Sequence, residues 1–221
     1  MKQLIKLFGY IISYIYTTHL NQRIQGFLST FYTGWKSRDF RSFKGYIMGR
    51  IEIRGGQYIT IGDHTLIEDG VRFLATDKRG NQSFTPEIKI GKNTVIQKNC
   101  FLSAVDKIEI GDNVAVTEHC MILDNTHGDF QDNHLTFSEG QDVPNVFLQN
   151  VYSRPLASKG PVIIEHDVHI GMFCTILSGT VIGHHSVIAA HSVVARKIPP
   201  YSLVAGNPAE VIMTFGKRKK K

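Results

Sequence analysis

The residues best suited to chemistry in this chain of 221 are its ten histidines and three cysteines. His127 stands in CMILDNTHGDF, residues 120–130, where a regular aliphatic pattern stops and a long polar stretch begins. Its imidazole titrates near neutral pH and can take a proton from a group as weakly acidic as a hydroxyl. His166 with His169, and His184 with His185, are pairs that would interest zinc, but such a site needs three or four convergent ligands, and no metal is expected. Cys100, Cys120 and Cys174 each fall four places after an aliphatic residue, where Thr65, Thr94, Thr180, Ser186 and Ser192 fall elsewhere. They read as small core fillers in a reducing compartment, not as a disulfide framework or a nucleophile.

The element that must position His127 is a six-residue repeat. Ile61, Ile67 and Phe73 follow one another at this period, as do Ile90, Ile96 and Leu102, then Ile110, Val116 and Ile122, and finally Ile164, Ile170, Ile176, Ile182, Ile188 and Val194. Hexapeptide repeats belong to β-helices. Three short flat strands close one triangular coil with the aliphatic residues stacked inward. Glycine follows the aliphatic residue at Gly62, Gly91, Gly111, Gly171 and Gly183, where it is expected to accept corner backbone angles that side chains resist. His127 ends the hexad that begins at Ile122. It therefore sits at a coil corner, immediately before an excursion from Gly128 to about Gly160 that is too long for an incidental turn.

The chain's ends read differently. Leu4, Ile5, Phe8, Ile11, Ile12 and Ile15, then Ile24, Phe27, Leu28 and Phe31, recur at helical spacing. The apolar run is too short to cross a bilayer and no cleavage site follows it, so these helices either cap the main domain or lie at a membrane surface. Lys217, Arg218, Lys219, Lys220 and Lys221 supply five of the six net positive charges; without them 20 basic residues face 19 acidic ones. The body is close to neutral, so no nucleic-acid partner is expected, and the tail is either solvated or weakly drawn to anionic lipid. The expected organisation is a helical segment at 1–45, a β-helix at 46–213 with a protruding loop at 128–160, and a basic tail at 214–221.

Period, interruptions and the C-terminal signature together resemble the hexapeptide-repeat acyltransferases, over residues from about 50 to 213. SKGPVIIEHDVHIG, ILSGTVIG and IPPYSLVAGNPAEVI are similar to the branch that O-acetylates bacterial surface polysaccharides and related sugars. The resemblance implies a mainly β fold, a left-handed parallel β-helix, assembled as a homotrimer with sites between neighbouring coils. It implies acetyl-CoA as acyl donor and a sugar or polysaccharide precursor as acceptor, with the enzyme cytoplasmic or at the inner face of the membrane.

The same resemblance places a catalytic histidine at His127, which stands after Gly111 as that residue does in the family, and it assigns a substrate contact to Gln97. Arg154 becomes a candidate sugar contact on an arm over a neighbour's site, His134 is a second such candidate, and the shorter interruption from Leu74 to Glu87 could line the same cleft. Gly171, Met172 and Ala190 are the implied contacts for pantetheine, with Arg196 and Lys197 near its phosphates. His191 stands where glycine is common and Glu210 where a basic residue is common. Asp124 and Asn125 either orient the imidazole or sugar, or satisfy corner backbone. Three other readings stay open: acyl transfer to an amino sugar, a xenobiotic or from acyl carrier protein; a carbonic anhydrase; and a non-catalytic scaffold.

Overall fold

The computed structural model of the chain describes residues 20–129, 135–138 and 141–215. The apolar positions from Leu4 to Ile15, His134 and the basic run from Lys217 lie outside the described residues. Three parallel sheets form the faces of a prism. The first face stacks Ser42–Phe43, Ile59–Ile61, Glu87–Ile90, Lys107–Ile110, Val162–Ile164, Val181–Ile182 and Lys197–Ile198. The second runs from Tyr46–Met48 through Leu66–Glu68, Val95–Ile96, Ala115–Val116, His169–Ile170 and Val187–Ile188 to Ser202–Gly206, and is closed by Ala209–Thr214. The third runs from Glu52–Arg54 through Arg72–Ala75, Phe101–Ala104, Met121–Leu123 and Thr175–Ile176 to Val193–Val194.

The register explains why one aliphatic residue in six is enough. Ile61 pairs with Ile90, Ile90 with Ile110, Ile110 with Ile164 and Ile164 with Ile182, so each isoleucine stacks on its counterpart in the next coil. These side chains are completely shielded, each contributing about 1.5–3 kcal/mol. The small residue four places later is buried too, and its hydroxyl or thiol donates to a carbonyl of a neighbouring coil: Thr65 to Gly91 at 2.6 Å, Thr94 to Gly111 at 2.9 Å, Cys120 to Gly171 at 3.2 Å and Cys174 to Ala189 at 3.1 Å. All three cysteines are free.

The glycine expectation requires correction. The left-handed backbone angles fall two places after the glycine, on His64, Asn93, Asn113 and His185, and none of Gly62, Gly91, Gly111, Gly171 or Gly183 adopts them. Glycine is needed at those five positions because the next coil lies too close: a Cβ on Gly111 would sit 2.8 Å from the Glu165 carbonyl carbon and the His166 nitrogen, and one on Gly171 would sit 2.5 Å from the Ala190 nitrogen.

The first coil begins at Ser42, ahead of the boundary expected at residue 46, because Phe40 is already buried in the core and its ring packs 4.9 Å from that of Phe43. Helix Leu20–Lys36 lies against the open edge of Tyr46–Met48. Its polar side makes the contact: Thr33 accepts from the Ile47 amide at 2.9 Å, Ser29 donates to the Ile47 carbonyl, and the Tyr32 hydroxyl accepts from Ile51 at 3.3 Å. Phe27, Leu28, Phe31 and Trp35 stay exposed, Phe27 and Phe31 by 73%. Among the described residues no helix is long and apolar enough to cross a membrane.

Two glycine substitutions separate coil contact from helix propensity. Gly111→Ala is expected to cost about 2–3 kcal/mol by forcing two coils apart. Gly26→Ala, in the helix and with nothing near its missing Cβ, is expected to stabilise by about 0.5–1 kcal/mol. Urea denaturation of both variants measures the contrast; equal effects would contradict the close-approach reading.

Candidate active site

The corner after the third face releases the chain twice. After Arg72–Ala75 a small hairpin pairs Lys78–Arg79 with Gln82–Ser83, and after Met121–Leu123 the long excursion departs. The two insertions meet. Thr126–His127 pairs antiparallel with Leu156–Ala157, so the excursion leaves and returns side by side, and the Gly128 amide donates to Pro155 at 2.7 Å. Gln82 fixes the returning strand at Leu156, donating to its carbonyl at 3.0 Å and accepting from its amide at 2.8 Å. His127 faces Leu156 across this pair.

Asp124 and Asn125 hold the corner. The Asp124 carboxylate is fully buried and accepts from the Val105 and Asp106 amides, each at 2.8 Å, and from Asn125 Nδ2 at 3.0 Å. Burial raises its pKa in spite of these bonds. Asn125 also donates to the Ser103 carbonyl at 3.0 Å and hydroxyl at 3.2 Å. Of the two roles open from sequence, Asp124 takes the corner role: a shielded carboxylate whose lone pairs serve backbone amides has no surface left for a sugar. Its bonds go to Val105, Asp106 and Asn125 and not to the His127 ring.

His127 itself is exposed, and no hydrogen bond to its ring forms among the described residues. Its pKa is lowered, first because the neighbouring strand and hairpin partly screen the ring from water and second because the Arg79 guanidinium disfavours imidazolium. Both effects favour the neutral ring, the form able to accept a proton. Arg154 is half-buried on the returning segment, with its Nε buried and unpartnered among the described residues.

The remaining expected site residues lie elsewhere in the same chain. Gln97, Gly171, Met172 and Ala190 share the corner after the second face, where the rings of His119, Phe173 and His191 stack at 4.9 Å intervals. Within one chain the structure does not bring them to His127. Lys197 is exposed at the start of a first-face strand. Arg196 is ion-paired with Glu210, so the acidic residue at the unusual position holds the very cation expected near the phosphates. His169, half of one suggested zinc pair, lies on a second-face strand.

The interruption from Leu74 to Glu87 was expected to line the cleft, but sequence reasoning did not single out Arg79 and Gln82 within it. A signal was present: Gly80-Asn81 between them is a two-residue hairpin turn, with Gly80 at φ 55°. If Arg79 depresses the imidazole pKa, then proton NMR should show His127 titrating below the ordinary value of about 6.5, and Arg79→Gln should move that titration upward. An unchanged titration in the variant would remove Arg79 from the site.

Residues 161–196 match the family described as bacterial transferase hexapeptide (six repeats). The chain is 31% identical over 165 residues to "Probable acetyltransferase Rv3034c" of Mycobacterium tuberculosis, covering 75% of this chain and 44% of that one. It is 29% identical over 128 residues to WbbJ of Escherichia coli, named for lipopolysaccharide biosynthesis O-acetyl transfer, covering 58% and 61%. The chain thus spans less than two thirds of either relative. Among solved structures, AntD of Bacillus cereus, an N-acyltransferase crystallised with dTDP and 3-hydroxybutyryl-CoA, shares the fold at a TM-score of 0.63 and 21% identity, over 84% of this chain and 89% of that one. Three parallel faces, a six-residue register and these likenesses agree: the chain is similar to the hexapeptide-repeat transferases, whose repeat it matches at residues 161–196, and it is built on a left-handed parallel β-helix.

Proposed function

We propose that this protein is an acetyl-CoA-dependent O-acetyltransferase acting on a sugar hydroxyl of a bacterial surface polysaccharide or its precursor. The observation that carries the reading is His127: an exposed imidazole whose surroundings favour its neutral form, at the corner where both insertions meet. Its ring takes the acceptor hydroxyl's proton as the oxygen attacks the thioester carbonyl. The tetrahedral oxyanion then collapses, the C–S bond breaks, and the proton passes to the departing sulfur of CoA. No covalent enzyme intermediate is required. The relative named for lipopolysaccharide O-acetyl transfer supports the acceptor class. The Arg154 Nε, unpartnered among the described residues, supplies a buried donor for an acceptor oxygen, because buried polar groups are ordinarily bonded. Arg79 suits a phosphate on a nucleotide- or lipid-linked sugar.

His127 and Arg154 lie on one corner and Gln97, Gly171, Met172 and Ala190 on another. This division supports a homotrimer in which neighbouring chains complete each site. The exposed Phe27, Phe31 and Trp35 support peripheral contact with the membrane that carries a lipid-linked acceptor.

Replacing His127 with Ala should reduce kcat by about 10²- to 10⁴-fold, with acetyl-CoA binding within a few-fold of wild type, when transfer of labelled acetyl groups to nucleotide- and lipid-linked sugars is measured. A variant retaining a third or more of wild-type transfer would eliminate His127 as the base. Glu210→Gln frees Arg196 and should tighten acetyl-CoA binding by roughly two- to fivefold, the size of an exposed ion pair of about 0.5–1 kcal/mol. That gain should shrink with added salt. Unaltered affinity would exclude Arg196 from the phosphate contacts.

A further inference from the structure

The corner after the first face carries a second group of chemistry-bearing side chains that the proposed reaction does not use. Parallel pairing of Ile163 with Val181 and Ile164 with Ile182 sets residues 165–167 of one coil beside 183–185 of the next. Asp167 and His185, at φ 56° and 55°, leave their coils in the same backbone conformation and project from the same corner. The Asp167 carboxylate lies between two imidazoles: its Oδ2 is 2.7 Å from His166 Nδ1 and 3.8 Å from His185 Nδ1.

We propose that His166, Asp167 and His185 bind a divalent transition-metal ion of the zinc, nickel or copper class. One ligand atom from each residue lies within 4.8 Å of the others. Bonds of about 2.0–2.2 Å to a shared ion bring such atoms to separations of about 3.3 Å, which small side-chain rotations of these accessible residues achieve. Two imidazoles and one carboxylate suit a borderline ion and are a poor set for magnesium or calcium, which require more oxygens. The neighbours brace the set. The His184 ring stacks on His166 at 4.9 Å, and His184 Nδ1 is itself held 2.6 Å from Glu165 Oε2, which fixes the plane against which His166 rests. Three protein ligands leave coordination positions for water. The ion would join His166 and Asp167 on one coil to His185 on the next, a staple between coils that no side-chain hydrogen bond among these three residues spans.

The pairing could not be read from the spacing of His166 and His169, because the ligand partners are one coil apart rather than three residues apart. The test uses the full-length chain stripped with chelator and titrated calorimetrically with Zn²⁺ or Ni²⁺, and with Cu²⁺ under electron paramagnetic resonance. One saturable site per chain is expected, with nitrogen hyperfine structure on the copper signal and no competition from millimolar Mg²⁺. Binding should weaken tenfold or more in His166→Ala, Asp167→Asn and His185→Asn, the last two chosen because asparagine tolerates the left-handed backbone, while His127→Ala binds as wild type. Zn²⁺ should also raise the melting temperature of the wild type but not of the three variants, each compared with its own metal-free form. Failure to bind, or undiminished binding in all three variants, would overturn the site whatever the outcome of the transferase assays.

Discussion

The constraint on which the rest of the structure depends is the lateral spacing of parallel strands, just under 5 Å. Each coil must repeat the cross-section of the one before it, so every position in the hexad becomes a column of like neighbours. An aliphatic column fills the interior; a column of Thr, Ser and Cys bonds one coil to the next; and a column of glycines lets the backbones approach to contact. The corner column of His, Asn and Asp tolerates the left-handed turn because short polar side chains suffer least there. Phe173 and Tyr201 occupy the same backbone region, a strain compensated by ring stacking on His191 and His185.

Because each coil is so strictly determined, chemistry accumulates where the pattern is suspended. The two insertions leave from the same corner and are fastened by Gln82, while Asp124 and Asn125 tie down the corner from inside. A buried carboxylate with a raised pKa is an expensive anchor, and it is found at the hexad that delivers His127. The rigid coil thus sets where His127 leaves the fold, and partial burial, with the Arg79 guanidinium second, lowers the pKa of its ring.

What was legible in the sequence follows the same division. From Ile61 to Val194 the period located the stacked aliphatic column and identified the cysteines as fillers, because a repeating coil leaves a repeating pattern, but it did not mark Ile88, Ile108 and Val162, which turn inward two places earlier on the first face. The first coil was obscured: Phe43, Ile47 and Ile53 are unevenly spaced, and a 3-10 turn at Gly56–Tyr58 intervenes. The glycine column was found but given the wrong cause, since contact between coils is a tertiary fact. The interruption from Leu74 to Glu87 was legible as a lining of the cleft, but not which of its residues would meet the excursion, because Gln82 bonds Leu156 across a hairpin far away in sequence. The helix was foreseen, but not that its polar side would do the capping and its aromatic side would remain outside.

That cap has a consequence for what the molecule does not become. A stack of parallel strands ends in unsatisfied amides and carbonyls, a template onto which an identical chain could add without limit, as in a growing filament. Thr33 and Ser29 occupy the hydrogen-bonding groups of Ile47 at one end of the second face. At the other end Ala209–Thr214 runs antiparallel with a bulge at Leu203 and Val204, and so presents a strand of the wrong polarity and register to any newcomer. The second face is thereby terminated twice, and a fold whose interior logic is open-ended polymerisation is held to a particle of fixed size.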